Sequence, residues 1–101
     1  MSDLKPRIAI RYCTQCRWLL RAAWLAQELL STFGTDHGEV ALVPRIGGVF
    51  EISYEGEMIW ERKADGAFPD AKTLKRRVRD RPDPSRDLGH IDRARADEDG
   101  E

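Results

Sequence analysis

Little in this sequence would hold it in a membrane, send it out of a cell or fix it to nucleic acid. No apolar run approaches the ~20 residues that cross a bilayer. The opening Met1-Ser2-Asp3-Leu4-Lys5-Pro6 lacks the apolar stretch of a secretory signal. Charge of one sign is missing too: Lys and Arg number 17 against 18 Asp and Glu, for a net charge of -1. Such a balance gives nucleic acid and anionic membranes no electrostatic footing as main partners. Cysteine is scarce, and two residues are too few for a disulfide-stapled secreted scaffold. The expectation is a soluble cytoplasmic protein. Its 101 residues suffice for one small domain and not for two.

Both cysteines fall in one motif, Cys13-Thr14-Gln15-Cys16. A bridge across so short a loop removes little entropy from the unfolded chain, so its value is not structural. In a reducing compartment such a pair points to redox chemistry or to a metal. A zinc half-site needs two further ligands, and only His37 and His90 are available. They lie 53 positions apart, so no metal site is expected, and no cofactor. A pair of inert, buried thiols is the bland alternative.

The chain divides by charge and apolar content. Residues 1–80 carry 13 basic and 11 acidic side chains, whereas residues 81–101 carry 4 and 7. Beyond Arg81 the only large apolar residues are Leu88 and Ile91, between Pro82, Pro84 and the closing Asp97-Glu98-Asp99-Gly100-Glu101. Residues 1–80 therefore read as the folded domain and 81–101 as a flexible charged tail.

Within the domain, Ile8, Ile10 and Tyr12 alternate with Arg7 and Arg11, the pattern of a strand with one face in the core. From Arg17 to Phe33 the period becomes helical. Trp18, Ala22, Leu25, Leu29 and Phe33 form the stripe, Leu19, Ala26 and Leu30 widen it, and Gly34 stops it. A second strand spans Glu39 to Val43, closed by Pro44, and a third spans Val49 to Tyr54. Glu55-Gly56 marks a hairpin into a fourth strand that places Met58 and Trp60 on one face and Glu57, Ile59 and Glu61 on the other. Asp70 caps a last helix carrying Leu74 and Val78. The order β-α-β-β-β-α, with alternating strands, gives an α/β two-layer sandwich: a four-stranded mixed sheet with both helices on one face.

A Cys-x-x-Cys between a strand and a helix start is chemically loaded. Free amides, the helix dipole and the flanking Arg11 and Arg17 all favour a thiolate. The spacing lets one sulfur resolve a mixed disulfide formed at the other. The helix-start argument makes Cys13 the attacker and Cys16 the resolver.

The motif, together with Gly47-Gly48-Val49-Phe50-Glu51-Ile52, the hairpin through Ile59-Trp60-Glu61-Arg62-Lys63, and Asp65-Gly66 with Phe68-Pro69, resembles the selenoprotein W, T and H (Rdx) family over residues 6–80. The resemblance implies a thioredoxin-like fold and thiol-based redox activity. It puts Cys16 where the selenoproteins carry selenocysteine, which argues for Cys16 as the more reactive position. Gly47 and Gly48 are either only a turn before a strand or the loop by which substrate approaches the cysteines, which the resemblance puts in the place of the cis-proline loop of thioredoxins. Sulfur in both positions departs from the selenoprotein pattern and weakens any expectation of strong peroxidase-like reactivity.

Other residues carry a bland reading beside a functional one. Arg45 is a solvated arginine or a positive charge for glutathione carboxylates. Glu51 is a solvated strand residue or a proton shuttle, and His37 a turn residue. Trp24 projects among Arg17, Arg21 and Glu28: it lies against an arginine, is covered by the last helix or the tail, or forms an interaction patch. Arg7, Arg11, Glu51, Ser53, Glu57 and Glu61 make the helix-free sheet face polar, as suits a monomer or weak dimer. The expected function is thiol–disulfide redox chemistry at Cys13 and Cys16, with glutathione or protein thiols as partners. The alternative is a non-enzymatic module that docks a protein through the sheet face or the Trp24 patch.

Overall fold

The computed structural model describes residues 5–81. The proposed tail lies outside them, apart from Arg81. The elements are β1 (Arg7–Cys13), α1 (Leu19–Phe33), a 3-10 turn (Gly34–Asp36), β2 (Glu39–Arg45), β3 (Phe50–Tyr54), β4 (Glu57–Glu61), α2 (Arg62–Asp65) and α3 (Ala71–Asp80). The sheet order is β2-β1-β3-β4, with β1 parallel to β2 and every other pairing antiparallel. The sandwich expected from the sequence is the one found.

Ile8, Ile10 and Tyr12 of β1 and Phe50, Ile52 and Tyr54 of β3 share one sheet face and pack against Leu25 and Leu29 of α1 and Leu74 and Val78 of α3. Both long helices therefore cover that face. Burying each such side chain stabilises the fold by about 1.5–3 kcal/mol. Between the helices, Lys75 is buried and its ammonium donates to Glu28 at 2.9 Å.

Several local expectations are corrected. Helix α1 begins at Leu19 rather than Arg17, because Arg17 takes φ 59. Leu19 and Leu30 widen nothing: both are exposed, since the buried stripe is only as broad as the sheet beneath it. Pro44 lies inside β2 rather than closing it, and β2 is an edge strand, where a missing N–H is tolerated. In β4 a bulge sets Met58 opposite Ser53 and Trp60 opposite Ile52, so the period of two breaks. Met58 is consequently exposed and Ile59 buried, the reverse of simple alternation. Ser53 is also buried, with the Arg11 guanidinium 3.3 Å from its hydroxyl. His37 is no open turn residue: it is buried edge-on against Phe33 and Tyr54.

Helix α2 falls in a stretch that the sequence reading leaves as a connection. Glu61 caps it by accepting from Ala64 N at 2.8 Å and Lys63 N at 3.1 Å, and Gly66 at φ 82 ends it. Among the described residues no helix is long and apolar enough to cross a membrane.

Candidate active site

The site forms at the sheet end where β1 and β2 finish and β3 begins. Cys13 is the last residue of β1 and is fully buried; Cys16 is exposed. This reverses the exposure expected from thioredoxin-like helix starts. The cause is local. The segment from Cys13 to Trp18 is a turn closed on itself: Trp18 N–H donates to Cys13 O at 3.3 Å and Arg17 N–H to Thr14 O at 3.1 Å. That pair of bonds, with Arg17 left-handed, is the pattern that ends helices. The free amides of α1 thus begin a full turn beyond the cysteines. Thr14 ties the turn to β2, its N–H and hydroxyl both donating to Arg45 O, at 2.9 and 3.2 Å.

The two sulfurs lie 2.7 Å apart, with the Cys16 thiol donating to Cys13 Sγ. Cys16 N–H also donates to Cys13 Sγ, at 3.3 Å. The Cys13 thiol is held below its ordinary value, first by the Cys16 side chain and then, against the cost of burial, by the amides of Gly48, Cys16 and Gln15. Cys16 is raised, first by its bond to Cys13 and then by burial and the Cys13 charge; the Gly48 amide and Arg62 pull it the other way. Of the two, Cys13 is therefore the sulfur that gives up a proton more readily and Cys16 the one that keeps it.

Gly47 and Gly48 sit at φ 83 and 75, and this consecutive left-handed pair brings the Gly48 amide to both sulfurs. A Cβ on either would meet nothing within 4 Å, so the glycines are needed for their conformation rather than for space.

Trp18, at the end of the turn, packs edge-on to Phe50 and to Phe68, with ring centroids 6.2 and 4.9 Å away. The Arg62 guanidinium lies 5.0 Å from the Trp18 ring, and that of Arg21 4.1 Å from the Phe68 ring. Sequence reasoning missed Arg62 as a site residue. It lies 46 positions from Cys16, and only the sheet order brings the end of β4 to the same end as Cys13. On the other side, Thr14, Pro44, Arg45 and Ile46 line a shallow groove of ≈ 330 Å³. Trp24 is half exposed, and among the described residues no arginine stacks on it. Among the described residues, no group of three His, Cys, Asp or Glu side chains could hold a metal ion.

A model of the Rdx family matches residues 7–80. A crystal structure from Bordetella parapertussis is 72% identical with a TM-score of 0.74, the match covering 75% of this chain and 96% of that one. The crystal structure of a selenoprotein W-related protein from Vibrio cholerae is 59% identical, also with a TM-score of 0.74, covering 75% of this chain and 95% of that one. Among curated proteins nothing matches.

Proposed function

The chain belongs to the Rdx family, and from that premise we propose that it is a thiol–disulfide redox protein in which Cys16 attacks and Cys13 resolves. The observation that carries the reading is one exposed and one buried sulfur 2.7 Å apart, the buried one facing backbone amides. In a substrate disulfide R–S–S–R′, Cys16 Sγ attacks one sulfur while its proton passes to Cys13. A Cys16–S–S–R bond forms and R′S⁻ leaves. That thiolate takes the proton from Cys13, and the Cys13 thiolate attacks Cys16 Sγ, releasing RS⁻. The substrate is reduced by two electrons and the pair is left as a disulfide, for a thiol such as glutathione or a protein dithiol to reduce again. The site is read as working without a metal or cofactor, in a monomer or weak dimer of the cytoplasm.

Iodoacetamide at pH 6–7 followed by peptide mapping tests the order. Cys16 is labelled first, and Cys13 only after unfolding; dominant early labelling of Cys13 reverses the assignment. The alternative, a docking module, is supported by Leu20 and Trp24, exposed one turn apart on α1, whereas the buried Ala9 and Ser53 leave the sheet face less to offer. It requires that a Cys13→Ser/Cys16→Ser double variant keep full function in the cell, where the redox reading requires a complete loss.

A further inference from the structure

Four arginines lie on the segments that build the cysteine site, and among the described residues no acid answers them. Arg17 follows Cys16 in the turn, Arg45 ends β2 beside Thr14, and Arg21 and Arg62 stack on the Trp18 and Phe68 rings. None of the four makes an ion pair among the described residues; the one hydrogen bond from an Arg45 side chain goes to its neighbour's carbonyl, Pro44 O. Arg62 stands apart even in this group. Its Nε is buried and has no hydrogen-bond partner among the described residues, a costly state for a guanidinium. The residue as a whole is half-buried, its guanidinium held over Trp18 by stacking. A cation fixed by aromatic rings, unpaired, at the mouth of a nucleophile is pre-organised to receive an anion.

Resting on the redox reading above, we propose that Arg62 is the specificity residue of this pair, selecting small disulfides that carry a carboxylate beside the sulfur bridge. Sheet order sets the geometry. Arg62 follows β4 on one side of β1, and the Thr14–Arg45–Ile46 groove lies over β2 on the other. With strands about 4.8 Å apart, β2 lies one spacing from β1 and β4 about two, or roughly 9.6 Å, so a ligand that extends from Cys16 across the strand ends meets a cation on each flank. Arg45 then meets the second carboxylate of a symmetric substrate, and the exposed Ile46 covers its methylene arm.

Three symmetric disulfides of similar size separate charge from chemistry: dithiodipropionate, hydroxyethyl disulfide and cystamine, which are anionic, neutral and cationic. Their rates of oxidising the reduced full-length protein are compared as ratios. The wild type favours the dianion over the dication, and the ratio shrinks as salt is raised. Arg62→Gln lowers that ratio about tenfold, the scale of one charge-assisted contact, and Arg62→Lys retains most of it. Arg77→Gln, in the other arginine–tryptophan stack, leaves the ratio unchanged. An Arg62→Gln variant that slows all three probes equally overturns the assignment, as does a wild-type ratio indifferent to salt. If no probe oxidises the wild type at all, the redox reading itself falls, an outcome distinct from a lost preference.

Discussion

Two arginine–tryptophan stacks lie on this small domain, and they differ in what surrounds the guanidinium. Arg77 sits 4.2 Å over Trp60, donates to Ile59 O at 2.7 Å and meets Asp65 at 3.0 Å. Asp65 in turn accepts from Glu61 N, and Trp60 Nε1 donates to Ala67 O at 3.0 Å. The cluster answers its own charge and its main polar groups, and it fastens α2 and α3 to β4. Among the described residues Arg62 over Trp18 has no such partners, and its Nε is left bare. The first stack holds the fold, and the second is kept open for a ligand. Hollow size does not distinguish them, since the larger one, ≈ 550 Å³, lies beside the closed cluster and the smaller beside the cysteines.

The largest effects belong to the open end. Cys16→Ser lowers disulfide reduction by roughly a hundredfold or more, since the remaining sulfur, Cys13, is buried out of a substrate's reach. Cys13→Ser instead stalls the cycle, and mass spectrometry finds the substrate fragment attached at Cys16. Stability responds in the opposite sense. Trp60→Ala costs about 3–5 kcal/mol and Arg77→Met about 1–3 kcal/mol, because Asp65 is left without its cation. Arg62→Met is neutral or stabilising, since it deletes a bare polar atom. Thermal melts rank the three, and an Arg62→Met that melts below Arg77→Met erases the distinction between the stacks.

A smaller effect appears in acid. Arg77 beside it and the Glu61 amide hold the Asp65 carboxyl below its usual range. Its contribution is therefore complete above about pH 4 and is lost as pH falls through the depressed folded value. Asp65→Asn removes about 0.5–1 kcal/mol at pH 7 and nothing below the folded value, so the two unfolding curves converge there. The least effect is a gain. Arg17→Gly relieves a left-handed side chain and stabilises by about 0.5–1 kcal/mol, visible as a raised urea midpoint.

How far these regions were legible in the sequence follows from how local their causes are. The strand of Ile8, Ile10 and Tyr12, the core stripe of α1 and the Asp70 cap, which accepts from Thr73 N at 2.7 Å, each rest on residues within a few positions of one another, and each could be read. The bulge that exposes Met58 depends on how β4 meets β3, which no single-strand pattern records. The Cys-x-x-Cys motif was plain, but its orientation was not. It hangs on Arg17 adopting a conformation usually left to glycine, so periodicity counted that residue into the helix. Arg62 was hidden by distance along the chain, and the caps of α2, Glu61 and Gly66, were the one overlooked signal within reach.

Cys13 ends a strand flanked on both sides, by β2 and by β3. The contacts that favour its thiolate, the Gly48 amide among them, are therefore completed by folding and act on the reduced form. Folding and electron affinity are joined in a thermodynamic cycle: whatever those contacts add to the reduced fold, they add equally to the ease of reducing its disulfide. For a two-electron couple about 30 mV corresponds to 1.4 kcal/mol, so one charge-assisted hydrogen bond at Cys13 displaces the midpoint potential by tens of millivolts. Calorimetry of the oxidised and reduced forms, set beside the potentials of the folded protein and of a Cys-x-x-Cys peptide, should close that cycle.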